Sequence, residues 1–79
     1  MIFSFTPYQG NYLKSLQLHH TQKILIDNND EFRISIYTYP TYELCAKILS
    51  YGSAVKVISP ISLVETIKQK LQETLKKYK

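Results

Sequence analysis

The sequence predicts an α+β domain: a ferredoxin-like βαββαβ antiparallel sheet with an additional C-terminal helix. Three observations carry this prediction. Hydrophobic periodicity alternates along the chain between the two-residue spacing of strands and the three-to-four-residue spacing of helices. Asp27, Asn28, Asn29 and Asp30 separate two strand-like runs, which is a hairpin signal. The resulting order, strand-helix-strand-strand-helix-strand, is that of a split βαβ unit, in which two helices cover one face of the sheet.

Residues 2–6, IFSFT, set Phe3 and Phe5 against Ile2 and Ser4, a short strand. Pro7 then opens a helix, and PYQGNYLKSL carries Tyr8, Tyr12, Leu13 and Leu16 at helical spacing. Gly10 weakens that helix by about 1 kcal/mol relative to alanine, so it is expected to be short. Residues 22–27, QKILID, form the second strand. Beyond the Asn28-Asn29 turn, EFRISIYTY places Phe32, Ile34 and Ile36 on one face and Arg33, Ser35, Tyr37 and Tyr39 on the other. This is the clearest alternation in the chain, and it predicts a hairpin with one buried face.

Pro40 and Thr41 introduce the second helix, with Thr41 as its N-cap. Leu44, Cys45, Ile48 and Leu49 share a stripe, while Glu43 and Lys47 stand at the i,i+4 spacing of an ion pair. Gly52 suits the left-handed residue that ends a helix. AVKVIS is the fourth strand. Pro60 fits the first turn of the last helix, with Ser59 or Ser62 as cap and Glu65 completing a capping box with Ser62. Val64, Ile67, Leu71, Leu75 and Tyr78 then recur every three to four residues. That stripe must be buried on its own sheet, on another domain or on another copy.

With 79 residues the chain has room for one small domain and one core. Hydrophobic residues at 44% and charged residues at 20% exclude a disordered polyelectrolyte. Seven tyrosines beside three phenylalanines and no tryptophan imply several half-buried rings with their hydroxyls in water. The single cysteine, Cys45, has no partner within the chain; it reads as a buried apolar group and points to a reducing, cytoplasmic setting. No apolar run is long enough to span a membrane. The net charge is +4, of which +3 falls in residues 60–79; such a basic end could meet nucleic acid or an acidic partner, and the plainer reading, which is favoured, is that lysines solubilise a terminal helix and favour its C-terminal dipole end.

No catalytic constellation emerges. His19-His20 is the only histidine pair, and no Cys, Asp or Glu stands from it at a zinc-type spacing. Gly10 and Gly52 are the only glycines, too few for a phosphate-gripping loop. The expectation is a non-enzymatic domain without metal or cofactor. A ferredoxin-like sheet leaves its helix-free face open, and RNA-recognition motifs stack bases on aromatics there. Lys23, Arg33, Tyr37 and Lys56 would lie on that face here, although EFRISIYTY lacks the glycine-containing aromatic pattern of that motif.

The run LHHTQK at 18–23, then YELCAKILSYGSAVKVISPISLVETIKQKL at 42–71, and finally Tyr78, resemble the C-terminal extension (WCX) module of WYL-domain transcriptional regulators. The match falls on Leu18, His19, Thr21 and Gln22; on Glu43, Leu44, Ile48, Leu49 and Gly52; and on Val55, Val57, Pro60 and Tyr78. In order, it covers about residues 2–78. The resemblance implies a bacterial regulator with a helix-turn-helix DNA reader and a WYL sensing domain upstream, of which this chain would be the C-terminal fragment. It also implies dimer contact and signal transmission, with nucleic acid as effector in some relatives. No tryptophan is present, hence no WYL tripeptide, and no helix-turn-helix, so no DNA-reading or ligand-sensing residue carries over. The matched His19, Thr21 and Gln22 are expected to fix the connection into the second strand, and Tyr78 to anchor the final turn.

The resulting expectation is a regulatory and dimerisation module that couples effector sensing to DNA binding. Its partners would be neighbouring domains of the regulator or a second copy, with DNA held through the absent N-terminal domain and no membrane involved. Lys23, Arg33, Tyr37 and Lys56 are the candidate contacts to nucleic acid or a small anionic effector; Ile67, Leu71 and Leu75 form the candidate interaction helix. The alternatives are a nucleic-acid binder using the open sheet face and a small-molecule-sensing domain dimerising through sheet edges.

Overall fold

The computed structural model describes residues 1–78. In chain order the elements are β1 (Ile2–Phe5), α1 (Pro7–Ser15), β2 (Lys23–Asp27), β3 (Phe32–Ser35), α2 (Tyr42–Ser50), a 3-10 turn (Gly52–Ala54), β4 (Val55–Ser59) and α3 (Ile61–Lys76). The strands make one open sheet in the order β2-β3-β1-β4, with every neighbouring pair antiparallel. Over the described residues the domain is therefore α+β, with three helices and two crossovers.

Strand alternation sets which face is covered. Phe3 and Phe5 on β1 are opposite Ile34 and Phe32 on β3, and all four are at most 2% exposed. The helices contribute Leu13, Cys45, Ile48, Leu63 and Ile67 to the same core. All three helices thus pack on the face that carries the phenylalanines. Fully burying a side chain of this size contributes about 1.5–3 kcal/mol, so this layer dominates stability. The opposite face carries Ile2, Ser4, Arg33 and Ser35.

α1 turns a different face inward from the one its spacing suggests. Its buried residues are Gly10 and Leu13, whereas Tyr8, Tyr12 and Leu16 are more than half exposed. Gly10 faces the sheet because the helix comes too close to Phe32 for a side chain there. On the outer side the Tyr8 and Tyr12 rings meet edge to face at 5.5 Å and their hydroxyls share a 3.1 Å hydrogen bond. Thr6 caps the helix by accepting a bond from the Gln9 N–H.

β2 is an edge strand with little of its apolar surface covered; Ile24 is 52% and Leu25 49% exposed. A bulge between Ile24 and Ile26 shifts its register against β3, so Ile24 is opposite Ile34 but Ile26 is opposite Arg33. One extra residue moves everything after it to the other face. Asp27 therefore opposes Phe32 on the helix side, where Lys14 of α1 meets it at 3.0 Å. The turn is closed by the Asn28 Oδ1, which accepts from the N–H groups of Asp30 and Glu31, and it needs no positive φ.

β3 is shorter than its alternation: it ends at Ser35, and Tyr37 and Tyr39 are 88% and 83% exposed. Thr41 caps α2 through a 3.2 Å bond from the Leu44 N–H, as expected. Gly52 has φ +60° and follows the end of that helix, also as expected. Three local expectations fail. No ion pair joins Glu43 and Lys47 among the described residues, since both side chains are exposed and held by nothing else. The N-cap of α3 is Pro60, without a side-chain cap, because the helix starts at Ile61 and puts Ser62 inside the first turn. Tyr78 is 85% exposed and anchors nothing by burial, for the stripe has left the core by that point.

Candidate functional site

The open sheet face is ordered in rows by the strand registers. One row runs Ile26, Arg33, Ser4, Lys56 across β2, β3, β1 and β4; the next runs Lys23, Ser35, Ile2, Ser59. Successive rows are about 7 Å apart, two residues along a strand. Arg33 and Lys56 therefore share a row, Lys23 is in the next, and Tyr37 lies beyond the end of β3. The four candidate contacts do not converge on one point.

Arg33 is also occupied. Its Nε and a terminal nitrogen donate to the two carboxylate oxygens of Glu31 at 3.1 and 3.2 Å. The Ser4 hydroxyl donates to the same carboxylate at 2.6 Å. Together the Ser4 bond and the Arg33 guanidinium hold the Glu31 carboxyl below its ordinary range. A paired guanidinium offers an anion much less than a free one does. Neither Glu31 nor Ser4 was among the candidate residues. The signal was available for Glu31: residues two apart on a strand share a face, and Glu31 is two before Arg33.

At the other end of this face lies a broad concavity of about 710 Å³, whose lining includes His20, Thr21, Gln22, Lys23, Tyr37 and Ser59 together with apolar Met1, Ile2 and Ile36. No carboxylate is in its lining among the described residues. Lys23 and Tyr37, the candidates brought together, are both exposed there, and His20 joins them. The His19 and His20 rings lie 4.2 Å apart, tilted by 32°.

The segment that precedes β2 is a clamp made of side-chain-to-backbone bonds, as its residue types predict. Gln22 accepts from the Leu18 N–H at 2.9 Å and donates to the Leu13 carbonyl at 3.3 Å, tying the segment to the end of α1. The Thr21 hydroxyl accepts from the Tyr37 N–H at 2.8 Å and lies 2.7 Å from His19 Nδ1. Thr21 thereby holds the chain leaving β3 and fixes Tyr37 beside the concavity.

A second surface is formed by α3. Its stripe enters the core at Leu63 and Ile67, which are 2% and 8% exposed, and leaves it at Leu71 and Leu75, at 53% and 56%. Of the candidate interaction residues, Ile67 is thus a core residue and the other two are open. The helix outlasts the surface available to cover it.

A family model described as the WCX domain matches residues 2–75. No curated protein matches the chain.

Proposed function

The chain belongs to the WCX domain family, and on that premise we propose that it is a non-catalytic regulatory and dimerisation module of a WYL-type transcriptional regulator. The sheet order β2-β3-β1-β4 with antiparallel neighbours supports reading its fold as ferredoxin-like. The observation that carries the functional reading is the emergence of the α3 stripe from the core: Leu71 and Leu75 are more than half exposed, one and two turns beyond buried Ile67. Covering the exposed half of each leucine contributes about 1 kcal/mol, which favours a second copy or a neighbouring domain against it. An effector bound elsewhere in the regulator would shift the equilibrium between two packings of this helix and so change the spacing of the DNA-reading domains.

Sedimentation velocity on the 79-residue chain over a wide concentration range tests the self-association part. The expected result is a reversible dimer that dissociates when Leu71→Glu and Leu75→Glu are combined. A chain that is monomeric throughout, or a dimer that survives both substitutions, overturns it.

A second reading rests on the Lys23 and Tyr37 concavity, whose lining has no carboxylate. It would receive a phosphate on Lys23 and a base against Tyr37, the pattern of single-strand binding. Affinity for a short oligothymidine should then fall steeply with salt and weaken with Lys23→Ala and Tyr37→Ala. Arg33→Ala should matter little, because Glu31 already holds that side chain. No binding at low salt would end this reading.

A further inference from the structure

α2, β4 and α3 enclose a groove of about 220 Å³ next to the core. Its walls include Leu49 from α2, Val55 and Val57 from β4, and Val64, Ile67 and Leu71 from α3. Of the two lysines in its lining, Lys56 has its side chain on the helix-free face beside Ser4, so exposed Lys68 of α3 is the cation at the rim, and no acidic side chain lines the groove among the described residues. Lysine stems lie along apolar surface while their ammonium groups stay in water, so the groove combines an apolar interior with a cationic rim.

We propose that this groove binds a free medium-chain aliphatic carboxylate, its alkyl chain against the valine and leucine walls and its carboxylate at Lys68. Charge complementarity selects the anion: a neutral or cationic amphiphile gains the same apolar burial without the pairing. The volume selects the length. An apolar cavity of about 150 Å³ accommodates a six-carbon ring, so this one takes a chain of roughly eight carbons. The ligand would touch both Ile67, where α3 is held, and Leu71, where it emerges, and would thereby brace the helix at the edge of its exposed stripe. The site is independent of the family assignment, and it shares Leu71 with the surface proposed to meet a second copy.

The test is titration of the isotopically labelled chain with sodium butyrate, hexanoate, octanoate and decanoate, followed by amide correlation spectra, with octanol as the neutral control. Each methylene that finds a place in the groove should tighten binding by up to about fourfold, with a plateau near eight carbons. Shifts should saturate and map to the amides of Leu49, Val57, Val64 and Leu71. Octanoate should bind several-fold tighter than octanol, and Lys68→Gln should abolish that preference while leaving the fold intact, as the position is exposed. Equal binding of octanol and octanoate by the unsubstituted chain overturns the proposal. So do shifts that map elsewhere, and so does the absence of saturable binding.

Discussion

Gly10 lies against Phe32 with no space for a β-carbon: one built on Gly10 would fall 2.5 Å from both Cβ and Cγ of the phenylalanine. Helix propensity favours Gly10→Ala by about 1 kcal/mol, but overpacking a core contact costs about 1–3 kcal/mol. Phe32 is 1% exposed, so its ring cannot swing into water. The clash should win. Gly10→Ala is expected to destabilise the domain by up to about 2 kcal/mol in urea denaturation. Adding Phe32→Leu should cost less in that background than in the unsubstituted chain, a coupling that a double-mutant cycle measures.

The Leu63 and Leu75 positions separate the two halves of α3. Leu63→Ala removes a side chain that is 2% exposed and should cost about 2–4 kcal/mol, whereas Leu75→Ala, at 56% exposure, should cost about 0.5 kcal/mol or less in a dilute monomer. Equal losses at both sites would mean that the stripe is buried along its whole length.

Caps differ in the same testable way. Thr41→Ala should cost about 1 kcal/mol, since its hydroxyl accepts from the Leu44 N–H. Ser62→Ala should change stability by no more than about 0.5 kcal/mol, because α3 has no side-chain cap. Chemical denaturation of both variants provides the comparison.

Glu31 links stability to pH. Its ordinary value is 4.5, and the Ser4 hydroxyl bond and Arg33 lower it in the folded protein. A carboxylate depressed on folding adds stability that is fully present above its unfolded value and is lost as the pH falls through the folded one. Glu31→Gln should therefore lower stability at neutral pH, and the gap from the unsubstituted chain should close as the pH drops below 4.5. Denaturation midpoints from pH 7 downward, on a scale of about half a unit per step, read this directly. A gap that does not depend on pH would remove Glu31 from this role.

Gln22→Ala should cost about 1–2 kcal/mol, because it releases both the Leu18 N–H and the Leu13 carbonyl. Hydrogen exchange should accelerate at the Leu18 amide first. If exchange there is unchanged, the clamp does not hold the end of α1.

The alternation of Phe32, Ile34 and Ile36, the cap at Thr41 and the left-handed Gly52 were legible in the sequence because each depends on neighbours within a few residues. The clamp built by Thr21 and Gln22 was legible in kind, since such side chains bond nearby backbone wherever they fall in a turn. Tertiary structure alone decided the rest. Whether Gly10 weakens a helix or permits a close approach depends on Phe32, which is distant in sequence. The Leu25 bulge decided which face Asp27 occupies, and periodicity cannot locate an extra residue in a ladder. Glu31 stands two residues before Arg33 in the sequence, but only folding brought Ser4 to the same carboxylate. The α3 stripe is continuous in sequence, but the core reaches only as far as Ile67, and the area of the sheet, not the periodicity of the helix, sets where burial ends.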